Sequence, residues 1–302
     1  QYFYNLINSF PKNFLEINIH KKKTKKIDII KNNIKKLNKK ELKKLNTCKN
    51  FNDLFNNIFI GLDILKNILT TCKFYNKYSS KNRSICIYSN NNNTNKQFLN
   101  ITTILNMFDE LTGKQNKYNI IIYLSNKKKE LDHNVDYIHS KSINTGSTIP
   151  RFNITLWREE ELYKVLIHEL IHFLFLDIFK YQDDIKFIYD NINLEATMIN
   201  PNEAYTEYVT LILYNYWLYR IKYHTKESNI HKFIKERLLI ELGWSFYQTA
   251  KTIKFFKCFN SYDDLFNKDK SCKFKQKTNV LSYYILKTYF LYNSHIFINC
   301  IN

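Results

Sequence analysis

Glycine and proline are nearly missing from this chain, with four Gly and three Pro in 302 residues. Collagen-like repeats, turn-dense β-barrels and Gly/Pro linkers all need more of both, so helices joined by Asn- and Lys-rich loops are expected. Arginine is thin as well, limited to Arg83, Arg151, Arg158, Arg220 and Arg237. The six cysteines (Cys48, Cys72, Cys86, Cys258, Cys272 and Cys300) include no C-x-x-C pair. Their wide spacing favours reduced, buried thiols over a disulfide scaffold, and with them an intracellular, cytoplasmic setting. No 18-residue charge-free apolar run exists. The nearest, 279–301, carries Lys287 and several Asn, Ser and Tyr, so it reads as a buried helix and no transmembrane span is expected. The opening QYFYNLINSF lacks a basic segment followed by an apolar one, so no signal peptide is expected there.

What is present is basic and aromatic. Lys and Arg total 46 against 27 Asp and Glu, a formal charge of +19, and aromatics reach 16%. Apolar area on that scale can offset the ordering entropy of the chain, which excludes intrinsic disorder as the main state. The charge raises nucleic acid as a partner, but nearly all of it is Lys in a chain also rich in Asn and Ile. An A/T-rich coding sequence loads Lys onto any solvated surface, so nucleic acid is not the favoured partner.

Residues 1–60 hold 14 Lys and four acids, a net of +10. Within them, 25–45 places Ile29, Ile30, Ile34, Leu37, Leu42 and Leu45 at helical spacing, and a second helix is expected over 52–74. From 84 the pattern turns mixed. Strands are expected at 84–89, 118–125, 135–140, 143–149 and 152–157, with a helix at 97–113 that ends at a Gly. Beyond 158 helices dominate: 159–179, 202–223, 228–255 and 279–299. The reading is a basic helical region over 1–80 and a second domain over 81–302, itself a sheet part with a long helix (81–180) and a helical part (181–302).

The stretch REEELYKVLIHELIHFLFLD, 158–177, contains HELIH. On a helix, His168 and His172 stand one turn apart on one face, so both imidazoles can reach a single ion while Glu169 flanks it. Zinc held by neutral histidines polarises a water, and a neighbouring carboxylate can take its proton and later pass one to a leaving amine. Glu159, Glu160 and Glu161 are expected in the first turn, opposing the helix dipole. Five residues of this pattern also occur by chance, so a third ligand is required. The segment NPNEAYTEYVTL supplies Glu203, 31 residues after His172, and Glu207 one turn further on the same face. One carboxylate can bind the ion while the other accepts the spare N–H of a ligating His.

HELIH followed by NEAYTE resembles the gluzincin metallopeptidases, the thermolysin-like enzymes and anthrax lethal factor among them. The resemblance implies a zinc-dependent peptidase in which His168, His172 and Glu203 are ligands, Glu169 is the general base, and Glu207 supports His168. Glu207 stands where those families often have Asp, and its longer side chain leaves room for it to exchange roles with Glu203. The implied fold is α+β and zincin-like, a small mixed twisted sheet with the active-site helix, followed by a mainly helical subdomain. The segment 143–149 would be the edge strand that pairs with an extended peptide or protein substrate. The resemblance covers about 84–225 and leaves 1–80 unexplained.

Other histidines (His133, His139, His224, His231 and His295) have no partner at ligand spacing and read as surface or core residues. Tyr205, Tyr208 and Tyr283 are candidates to stabilise an oxyanion, with no ground for choosing among them. Asp177 reads as a surface acid past the helix end, and Trp157 and Trp217 as core. Two competing readings belong to other classes: a catalytically inactive zincin-fold binding module, and a basic nucleic-acid-associated protein whose histidines merely pack.

Overall fold

The computed structural model describes residues 22–26, 57, 59–177, 182–223, 229–269 and 271–294. The described chain is mixed α/β with a small mixed sheet, and it divides into two compact units.

The first unit holds described residues from 22 to 129 and 144 to 174. Its elements are β1 (Lys22–Lys26), α1 (Leu62–Thr71), β2 (Phe74–Ser79), β3 (Arg83–Ser89), α2 (Asn95–Leu111), β4 (Tyr118–Tyr123), β5 (Gly146–Ile149), β6 (Asn153–Leu156) and α4 (Leu162–Phe173). Six strands pair in the order β1-β2-β3-β4-β6-β5, parallel at β3/β4 and β4/β6 and antiparallel elsewhere. The central strands read SICIYS and YNIIIY because both faces of the sheet are covered. Cys86, Tyr88, Ile121 and Tyr123 cluster on one side with Ile64, Ile68 and Trp157, so α1 packs there. The alternate residues Ile85, Ile87, Ile120 and Ile122 are also fully buried or nearly so. β5 is the last strand, and no strand pairs with its outer side among the described residues.

Helix α2 stops where the sequence places its glycine, since Gly113 takes φ +66° and only glycine adopts that region without strain. Asp109, on the last turn of α2, gathers its neighbours. Its carboxylate accepts from Arg83 (2.6 Å), Tyr118 Oη (2.9 Å) and both the main-chain and side-chain nitrogens of Asn116 (2.8 and 3.1 Å).

The second unit holds described residues 130–143 and those from 175 to 294. It contains a short helix α3 (Ser140–Ile143), α5 (Gln182–Asn191), β7 (Leu194–Ala196), α6 (Asn202–Tyr223), α7 (Ile230–Phe255), β8 (Phe274–Gln276), and a π-helical stretch Leu281–Leu286 running into α8 (Lys287–Tyr292). β7 and β8 form a two-stranded parallel sheet. Its core gathers Ile188, Ile192, Phe256, Phe274, Leu281 and Ile285.

Several expectations change. Lys25 and Lys26, where a helix was expected to begin, belong to β1, and 27–45 lies outside the described residues. The helix expected over 52–74 is α1, and of its first part only 57 and 59–61 are described, none of them helical. Residues 135–140 form no strand, only an isolated bridge between Ile138 and Gln276. Helix α4 begins at Leu162, so Glu159, Glu160 and Glu161 precede its first turn, with Glu161 at the cap in the left-handed region (φ 57°). The single helix expected over 279–299 is interrupted by the π-helical stretch. Cys258 and Cys272 are bonded as a disulfide, with Cα atoms 6.0 Å apart, whereas Cys72 and Cys86 are the buried thiols expected. Among the described residues no helix is long and apolar enough to cross a membrane.

Candidate metal centre

Helix α4 reads LYKVLIHELIHF, and its apolar residues fall on every side, as a helix within a core requires. Leu166, Ile167, Leu170 and Ile171 are all essentially inaccessible. Against that background His168 and Glu169 are the anomalous residues, each only 6% exposed. Buried polar groups on such a helix need partners of their own.

The two histidines face each other. Their Nε2 atoms lie 3.0 Å apart, with the rings nearly perpendicular at 75°. Two imidazoles that share a tetrahedral ion through bonds of about 2.0–2.1 Å bring their nitrogens to roughly 3.3 Å, so the observed spacing needs little adjustment to accept one. The same 3.0 Å also suits one imidazole donating to the other.

Glu203 lies in the first turn of α6, 8% exposed, and its Oε1 accepts from the side-chain amides of Asn200 (3.3 Å) and Asn279 (3.4 Å). One ligand atom each from His168, His172 and Glu203 lie within 4.8 Å of one another, so this buried His-His-Glu group could hold a metal ion. Two imidazole nitrogens and one carboxylate oxygen form a donor set suited to zinc and to other first-row divalent ions, and it does not single out one of them.

Glu169 is oriented from the edge of the sheet. Thr148 on β5 donates its hydroxyl to Oε2 of Glu169 at 2.6 Å, within reach also of the Glu169 main-chain carbonyl at 3.1 Å. Beside it, Gly146 lies so close that an added Cβ would stand 2.6 Å from Oε1 of Glu169 and 2.7 Å from Leu156 Cδ2. A bare backbone at 146 is what lets the carboxylate lie along β5.

Glu207 stands one turn beyond Glu203 on α6 and is half-buried. Asp177, expected at the surface, is 6% exposed and accepts from Thr206 at 2.9 Å, so it is a buried anchor for α6. Trp157 and Trp217 are core residues, 0% and 2% exposed. His133 is exposed, His139 and His231 are half-buried with pKa values lowered chiefly by desolvation, and His224 and His295 lie outside the described residues. Tyr208 is fully buried, which pushes its phenol upward, while Tyr205 and Tyr283 are half-buried. Thr148, Asn200 and Asn279 also contribute, holding the carboxylates of Glu169 and Glu203, and none of them belongs to the H-E-x-x-H pattern. Only Asn200, three residues ahead of Glu203, carried a local signal.

Comparison with protein-family models, curated proteins and solved structures returned no match.

Proposed function

We propose that this chain is a zinc-dependent peptidase of the gluzincin type. The observation that carries the reading is the convergence of His168, His172 and Glu203 to within 4.8 Å, with Glu169, the residue after His168, buried and held by Thr148. His168, His172 and Glu203 would hold the ion, with Asn200 and Asn279 orienting the carboxylate of Glu203. A bound zinc ion supplies Lewis acidity, which polarises a carbonyl and lowers the pKa of water toward neutrality. Glu169 takes the proton from the attacking water and delivers it to the departing amine. Thr148 keeps that carboxylate aimed by holding one oxygen. The outer side of β5 offers main-chain groups to an extended peptide, which would add to the sheet as a further strand.

The test is zinc stoichiometry and peptide cleavage measured on the same preparations. Wild type is expected to hold one zinc per chain and to cleave members of a peptide library. Glu169→Gln should keep the zinc and lose about 10²- to 10⁴-fold in turnover, the usual contribution of a general base. Zinc without any cleavage in wild type would instead indicate a binding module. Absence of zinc would leave the 3.0 Å contact as an imidazole pair and remove the hydrolase reading.

A further inference from the structure

Helix α7 breaks the rule that an outward helix face is polar. The chain carries 46 Lys and Arg, yet between Arg237 and Lys251 there is no basic residue and only one acid, the half-buried Glu241. Over those turns the outward positions are Leu239 and Ile240 (both 61% exposed), Trp244 (54%), Phe246 (48%) and Tyr247 (56%). Tyr292 of α8, 66% exposed, extends the patch through a ring contact with Phe246, and Trp244 stacks on Tyr247 with centroids 5.3 Å apart. Behind this ridge lies a groove of about 950 Å³, with Phe246, Ile253 and Tyr289 among its walls. Contiguous apolar surface of this kind marks an interaction site.

The residues at its ends identify the occupant. Exposed Lys232 and Lys235 precede the patch, and exposed Lys251, Lys254 and Lys257 follow it, with Glu236 as the one exposed acid on this side of the helix. A second copy of a chain with formal charge +19 would set lysine against lysine here, so self-association is disfavoured by charge. Aromatic rings with polar tips, flanked by long cationic side chains that can reach upward, are the composition of a helix that lies in the headgroup layer of a lipid surface. We infer that the outward face of α7 docks this protein on membranes that contain anionic phospholipid, with Trp244, Phe246 and Tyr247 entering the interface and the flanking lysines meeting headgroup phosphates. The inference does not depend on the peptidase reading.

Tryptophan fluorescence tests it directly, because Trp157 and Trp217 are buried and Trp244 alone is exposed. With the full chain, vesicles of phosphatidylcholine containing phosphatidylserine should shift the emission to shorter wavelength and carry the protein down on sedimentation. Pure phosphatidylcholine vesicles should do neither, and added salt should weaken the effect. The double substitution Trp244→Ser with Tyr247→Ser should reduce sedimentation with anionic vesicles about tenfold or more while leaving the thermal melt in place. Lys251→Gln with Lys254→Gln and Lys257→Gln, which keeps the aromatic ridge, should weaken binding and flatten its salt dependence. Three outcomes overturn the inference: no emission shift with anionic vesicles, undiminished binding in the Ser variant, or a concentration-dependent dimer that the Ser variant abolishes, which would make the patch an interface between copies.

Discussion

Thr148 holds one oxygen of a buried carboxylate, and a hydrogen bond to a charged acceptor typically contributes about 1.5–3 kcal/mol. If Glu169 is the base, Thr148→Val removes that orientation without touching the histidines. Turnover should fall about 10- to 100-fold with KM changed little, since the bond matters for proton transfer more than for peptide binding. Thr148→Ser should recover most of the loss in steady-state kinetics, which a purely steric role would not allow. Cys72 offers a second test at this scale. Burial pushes its thiol from the ordinary 9.0 up to about 12, so the folded state favours the neutral form. The resulting stability is fully present below pH 9 and is lost as pH climbs from 9 to about 12, where the unfolded thiol ionises and the native one resists. Alkylation at pH 8 should therefore leave Cys72 unmodified until denaturant unfolds the chain, which mass spectrometry would read.

Asp109 links three elements, because its carboxylate takes hydrogen bonds from Arg83 on β3, Tyr118 on β4 and Asn116 ahead of β4 while itself sitting on α2. Asp109→Ala would strand the Tyr118 hydroxyl, which is 1% exposed as a residue, and leave Arg83 without its carboxylate. A loss of about 2–3 kcal/mol is expected in urea denaturation, below the figure for a fully buried pair because Arg83 is partly solvated. The elements legible in the sequence were those with long apolar-rich runs. β3, β4, β6, α2, α6 and α7 fall within a few residues of expectation: the strands as short β-branched runs, and α6 and α7 by their length and lack of proline, since neither carries a clear one-sided apolar stripe. β2 went unread because FYNKYS carries Asn and Lys in its middle and pairs on both sides through its backbone. The run at 135–140 has strand-like residues but only Ile138 finds a partner, so composition misled where pairing was absent. The interruption at Leu281–Leu286 departs from a 3.6-residue repeat in a way that apolar patterning does not reveal.

Across the whole molecule, the candidate site was legible as far as residue type and spacing reach. HELIH and NEAYTE supplied His168, His172 and Glu203, a group that could hold a metal ion. Thr148 and Asn279 were not legible, since each reaches its partner across a long stretch of chain, 21 and 76 residues respectively. The Cys258–Cys272 bond was hidden for a similar reason, as isolated cysteines carry no pairing information. If the His-His-Glu group binds zinc, removing the ion with a chelator should lower the thermal midpoint, and restoring zinc should raise it. At free zinc near 100 times the dissociation constant the expected linkage is about 2.7 kcal/mol, measurable by calorimetry at varied zinc concentration.

Gly146 bears on kinship as well as on geometry. A strand that must stay bare where the acid of α4 lies along it cannot drift to alanine without displacing that acid. Distant kin of this chain should therefore carry a glycine 23 positions upstream of the glutamate in an H-E-x-x-H stretch, with a hydroxyl residue two places after the glycine. That spaced signature would separate true descendants from the many chance occurrences of five letters.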